Sequence, residues 1–159
     1  MSAISPQNIE NAIKKIDGLN EDALDKIIET YALKQEDLLG HVMQAGVEYE
    51  NEDLNTFSIY YFAIVMAAFD DAKLKLNTIT QDDIDDFQEP FVLALDEINK
   101  NEDYTPLHEL INQPNLTIFM ANEIDAEDED GEVLAEETKT QLFIVMSSMI
   151  GLMNKAITK

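Results

Sequence analysis

Nine carboxylates fall within the fifteen residues EIDAEDEDGEVLAEE, positions 123–137, together with one glycine and no basic residue. Acids at this density can chelate a cation, attract a basic protein, or simply hydrate a connection between helices. Calcium chelation makes the most exacting demand. An EF-hand loop needs oxygen ligands at positions 1, 3, 5, 7, 9 and 12, with glycine at position 6. Placing Gly131 at position 6 puts Asp128 at 3, Asp130 at 5, Val133 at 8 and Glu137 at 12. Asp128, Asp130 and Glu137 are therefore the weak metal candidates of the chain. The register fails where the chemistry is strictest. Ala126 stands at position 1, Leu134 at position 9, and Asp125 comes one residue too early. No second loop is present to pair with it. The milder expectation is a non-specific response to divalent cations through relieved repulsion.

A second cluster, Asp82, Asp83, Asp85 and Asp86, surrounds Ile84. On a helix these four spread over much of the circumference, leaving Ile84 and Phe87 to mark the buried side. Together with Glu127, Asp128, Glu129 and Asp130 they are the candidate contacts for a basic partner. The plainer reading is that acids gather in the first turn of a helix because its dipole favours them there.

Motifs for catalysis do not assemble. A di-iron bundle needs Glu-x-x-His pairs, but Leu38 precedes His41 by three residues and Thr105 precedes His108. The His-Glu-x-x-His pattern fails because Asn112 stands where the second histidine belongs. Each histidine is thus expected to be an ordinary surface or helix residue. Neither a Gly-x-Ser-x-Gly elbow nor a glycine-rich phosphate loop is found. Paired carboxylates for glycoside hydrolysis would be a spatial property that sequence does not reveal. No catalytic residue, cofactor-binding residue or cofactor is assigned.

Composition narrows the partner class. The 33 acids outnumber the 10 basic residues, for a formal charge of −23, and every basic residue is lysine. Without the planar fork of arginine, and with this sign of field, direct binding to nucleic acid or an anionic membrane is disfavoured. Cysteine is absent, which removes disulfides, thiolate catalysis and cysteine zinc sites. The amino terminus has no apolar stretch behind a basic start, so no secretory signal is read and a cytoplasmic location is expected. The sequon Asn115-Leu116-Thr117 is then without consequence. Two uncharged runs, 54–69 and 140–154, are shorter than the roughly 20 apolar residues a bilayer requires and carry Asn, Thr or Ser. They read as core helices.

The elements that must position these residues are helices with short connections. The chain, 159 residues with 45% apolar content, reads as one helical domain over 1–159, with a mobile acidic connection near 123–132. Ser5-Pro6 opens the first helix, with Ile9, Ile13 and Ile16 inward and Asp17-Gly18 at its end. Asn20 opens the second, with Leu24, Ile27, Ile28 and Tyr31 as its core face. The third, about 35–49, carries Leu38, Leu39, Val42 and Met43, with Gly40 and Gly46 as irregular points. The fourth is apolar almost all round and should be central. There, one of Tyr60 and Tyr61 should reach a polar partner at the core's edge. Thr80 with Asp83 resembles a capping box, and Pro90 should kink the following helix or start another. Thr105-Pro106 and Gln113-Pro114 mark two more starts. The last helix, about 133–156, aligns Leu142, Met146, Met149 and Met153, with Gly151 a soft spot. Those methionines read as core filling, or as an adaptable groove for a partner helix or small ligand.

The fold class is therefore all-α, a single-domain bundle of about six to eight helices. The alternative is α+β with one β-hairpin around residues 116–146, because Leu116, Ile118 and Met120 alternate with Thr117 and Phe119. Helix is favoured, since one hairpin alone is marginal. The favoured function is a non-catalytic acidic module that engages a basic protein, in an inhibitor, immunity-like or mimic role. The alternatives are a small-molecule- or metal-dependent helical enzyme with a carboxylate-lined pocket, and an oligomeric scaffold, since a homo-oligomer would bury one amphipathic face against its copy.

Overall fold

A computed structural model describes residues 3–126 and 134–158. Eight helices make up these residues: α1 (Pro6–Asp17), α2 (Glu21–Lys34), α3 (Glu36–Glu48), α4 (Glu52–Asp71), α5 (Gln81–Asn101), α6 (Thr105–Ile111), α7 (Pro114–Asp125) and α8 (Glu136–Lys155). The all-α reading holds. Residues 116–121 lie within α7, and 141–146 lie within α8, so the hairpin alternative is not realised. Burial of Leu116, Met120 and Ile124 at four-residue spacing shows which period won.

Local chemistry explains the starts. Ser5 caps α1, its hydroxyl accepting from the Asn8 N–H while the Asn8 side chain accepts from the Ser5 N–H. Thr80 and Asp83 make the same reciprocal box on α5, with aspartate replacing the more common glutamate. Asn20 and Asn51 cap α2 and α4. Five helices (α2, α3, α4, α5 and α8) carry two acids each in the first turn. Much of the acidity therefore sits where the helix dipole stabilises it.

Packing centres on α4 and α8, as the apolar patterning implied. Every residue from Tyr61 to Phe69 is buried, and so is every residue from Val145 to Met153. Side chains such as Phe62, Ile64 and Phe69 contribute about 1.5–3 kcal/mol each on full burial. Around this centre α4 touches α1, α2, α3 and α8, while α8 also meets α5, α6 and α7. One contiguous apolar core draws residues from all eight helices. Among the described residues no helix is long and apolar enough to cross a membrane.

Three local expectations need correction. The α2 face is shallower than its periodicity implied: Tyr31 alone is buried, while Leu24, Ile27 and Ile28 are half-buried, because α2 lies on the rim of the bundle. Pro90 does not begin a new helix, and α5 runs through it to Asn101. The missing Pro90 N–H would have bonded the carbonyl of Asp86, four residues back on the exposed side, where water can serve it. Gly46 and Gly151 are points of close approach rather than soft spots. Both are buried, and a Cβ at Gly151 would lie 2.6 Å from Cζ of Phe87.

Residues 72–80 connect α4 to α5, turning at Ala72 and Lys73 before the chain runs on to Thr80. Leu76 pairs with Ile157 as an isolated antiparallel bridge. The Asn77 N–H donates to the Ala156 carbonyl, and the Thr158 N–H donates to the Lys75 carbonyl, both at 2.8 Å. From the other side Gln35, which is buried, clamps the same segment. Its amide donates to the Asn77 carbonyl at 3.0 Å, and its oxygen accepts the Ile79 N–H at 2.8 Å.

Candidate functional site

The first acid cluster begins α5. Asp82, Asp83, Asp85 and Asp86 are all exposed, and Ile84 and Phe87 point into the core, as the helical spacing dictates. Their duties differ. Asp83 belongs to the capping box and Asp85 accepts from the Gln81 amide at 3.0 Å. Asp83 and Asp86 also line a small recess with Lys155, whose ammonium lies over the Phe87 ring at 5.2 Å. Asp82 makes no side-chain bond within the described structure and faces solvent. The helix-start account thus covers Asp83, and Asp82 has no bonding role within the described residues.

Glu127, Asp128, Glu129 and Asp130 lie outside the described residues, so two of the three metal candidates do as well. The third, Glu137, is exposed in the first turn of α8. The helices flanking this stretch are joined by Lys139, whose ammonium reaches Asp125 at 3.5 Å and Glu136 at 3.7 Å. Among the described residues no group of three or more His, Asp or Glu side chains is placed to hold a metal ion.

The described carboxylates share one property: none is buried. Asp96, Glu97 and Glu123 are half-buried and the others are exposed. Glu123 has the most unusual surroundings. Burial, and then the charge of Asp17, raise its carboxyl above the ordinary range. Asp17 in turn accepts the Tyr60 hydroxyl proton at 2.6 Å, which fulfils the expectation for that tyrosine pair. Burial raises the phenols of Tyr60 and Tyr61 well above their usual value, and Asp17 and Glu123 add to the effect. The network joins the end of α1, the middle of α4 and the end of α7, with Phe57 and Phe119 rings packed on Tyr61. No sequence signal announces it, since its members are 43 or more residues apart except for adjacent Tyr60 and Tyr61.

His41 is more engaged than expected. It is half-buried, with Nε2 2.9 Å from the Ser148 hydroxyl, and burial lowers its pKa from the ordinary value. Ser148 itself is 2% exposed, so this pair ties α3 to α8 instead of presenting a nucleophile. His108 is exposed beside the Tyr104 ring, as an ordinary surface histidine. Met146, Met149 and Met153 are fully in the core, so the groove reading of the methionine stripe is set aside.

The largest of the described concavities is a cleft of about 980 Å³ where the α2–α3 junction faces the end of α4 and segment 73–78. Leu33, Leu74 and Leu76 supply its accessible apolar surface above the buried Met66 and Phe69, and Lys34, Lys73 and Lys75 stand at its edge with Glu36, Asp37 and Asp70. Sequence reasoning missed it, although Lys73-Leu74-Lys75-Leu76 alternates with a two-residue period. In the structure both lysines are exposed and both leucines are half-buried against the core.

Compared with known proteins, the chain matches no family model, no curated protein and no solved structure.

Proposed function

We propose that this protein is a non-catalytic binding module whose acidic surface engages a basic protein partner. The observation that carries the reading is the distribution of charge: every described carboxylate is at least partly exposed. A carboxylate-dependent enzyme would instead be expected to sink strongly perturbed acids into a concave pocket. Here the one half-buried acid with a raised pKa, Glu123, faces Asp17 and two tyrosines, while the acids that line the large cleft, Glu36, Asp37 and Asp70, are all exposed and stand beside three lysines. Internal neutralisation is also slight. Among the described residues, ion pairs join Lys14 to Glu10, and Lys139 to Asp125 and Glu136. The remaining field is available to steer a cationic partner, giving fast and salt-sensitive association.

The test separates surface charge from fold. Asp82→Lys with Asp86→Lys leaves the Thr80–Asp83 box intact, and a second variant reverses Glu127, Asp128, Glu129 and Asp130. Tagged wild-type protein should retain a basic protein from its host lysate at low salt and release it at high salt. One or both reversed variants should lose it while keeping the wild-type helical circular dichroism. Retention that is indifferent to both reversals and to salt would end this reading.

A further inference from the structure

We propose that the cleft between the α2–α3 junction and segment 73–78 is a binding site for a small amphipathic anion, a carboxylate on a short apolar body. The inference is independent of the acidic surface and begins from local charge. The chain as a whole carries 10 lysines against 33 acids, yet this cleft is lined by three of each: Lys34, Lys73 and Lys75 with Glu36, Asp37 and Asp70. It is charge-balanced in a strongly negative molecule.

The two signs are not used alike. Glu36 and Asp37 occupy the first turn of α3, where the dipole already favours them. Asp70 lies against the buried Tyr31 phenol and, after burial itself, is the main cause of that group's raised pKa. The three lysines are exposed and form no ion pair within the described residues. Free ammonium groups beside an apolar floor suit a ligand with one anionic end and one greasy end. Such a ligand satisfies the cations and covers Leu33, Leu74 and Leu76.

The cleft is also held open in advance. Its outer wall, segment 73–78, is bonded to residues 156–158 on one side and clamped by Gln35 on the other. A preformed wall lowers the ordering cost of binding. Lys73 adds a useful feature, because it adopts a left-handed conformation, φ 58°. It closes the end of α4, with its N–H on the Asp70 carbonyl and the Leu74 N–H on the Phe69 carbonyl. Glycine is the favoured residue in that position, so Lys73→Gly removes a charge while relieving strain. Loss of binding in that variant is then not a folding defect.

Octanoate, octanol and octylammonium, three probes of one chain length and different charge, make the test by amide chemical-shift titration of the ¹⁵N-labelled protein. Octanoate should saturate, shifting amides of residues 33–37 and 69–78, and octanol should bind there more weakly. Each exposed ammonium is expected to strengthen binding roughly two- to threefold, so Lys34→Gln with Lys73→Gly and Lys75→Gln should weaken octanoate about tenfold or more. The thermal midpoint of Lys73→Gly alone should equal or exceed that of the wild type. Binding of octylammonium in the cleft at least as tightly as octanoate would overturn the proposal. So would unchanged octanoate affinity in the triple variant, or shifts confined to other residues.

Discussion

The side chain of Gln35 closes on the backbone of Ile79, its oxygen accepting the Ile79 N–H at 2.8 Å although the two lie 44 residues apart. Both residues are buried, at 2% and 1% exposure, so neither can substitute water for the other. Gln35 also takes the Asn77 carbonyl at 3.0 Å. One side chain at the α2–α3 junction thereby fixes the path of the chain between α4 and α5.

Gln35→Leu keeps the volume and removes both bonds. The buried Ile79 N–H is left without a partner, at a cost of about 1–3 kcal/mol. The melting temperature should fall by several degrees, with amide exchange accelerated first in 76–80. An unchanged melting temperature would mean that water reaches Ile79 after all.

The three helical glycines should respond to alanine with different signs. A Cβ on Gly40 meets nothing within 4 Å, so Gly40→Ala should stabilise by about 0.5–1 kcal/mol by adding a better helix former. At Gly46 the added methyl overlaps the Asn55 amide and comes within 3.2 Å of the Asn55 backbone nitrogen. At Gly151 it meets the Phe87 ring at 2.6 Å, and that ring is buried between α5 and α8. Overpacking of this kind costs about 1–3 kcal/mol. Urea denaturation should place Gly40→Ala above wild type and both Gly46→Ala and Gly151→Ala below it. Stabilisation at Gly151 would contradict the close helix approach.

Those glycines also show what a sequence can and cannot carry. Helix starts were legible because caps act within three residues: Ser5-Pro6, Asn20 and Thr80 with Asp83 all stand where their local chemistry places them. The central helices were legible too, since a segment apolar on every side has to be enclosed. Gly46 and Gly151 were misread because a small residue within a helix looks the same whether it weakens the helix or admits a neighbour. Only the partner, Asn55 or Phe87, distinguishes the two. The Tyr60–Asp17 bond, the His41–Ser148 bond and the gathering of Lys34 with Lys73 and Lys75 are likewise products of topology. Of these, the alternation at 73–76 alone left a trace in the sequence.

His41 should give the fold a measurable dependence on mild acid. Burial holds its imidazole below the ordinary value of 6.5, so between the two values the unfolded chain binds the proton that the folded chain refuses. The stability involved is complete above 6.5 and is lost as pH falls through the folded value. His41→Gln retains a group able to bond Ser148 but cannot titrate. Stability measured from pH 7 to pH 5 should therefore decline more steeply for the wild type than for the variant. Parallel curves would show that His41 is solvated in solution.

Glu123 should act in the opposite direction. Burial and the neighbouring Asp17 raise its carboxyl above the ordinary 4.5, so the folded protein holds a proton that the unfolded chain has already released. Stability linked to this group is fully present below the ordinary range and is lost as pH rises through the raised folded value. Ionisation of Glu123 is thus unfavourable at the α1–α4–α7 contact. Glu123→Gln should stabilise the protein at pH 7, and its advantage should shrink toward zero in acid, where the wild-type side chain is itself neutral. Asp17→Asn is the control, because it also lifts the repulsion but exchanges a charged acceptor of the Tyr60 hydroxyl for a neutral one, and hydrogen bonds to charged groups are the stronger. Its gain should be smaller than that of Glu123→Gln. Denaturant midpoints of the two variants at pH 3.5 and pH 7 decide the matter, and an equal gain for Glu123→Gln at both pH values would rule out charge as its cause.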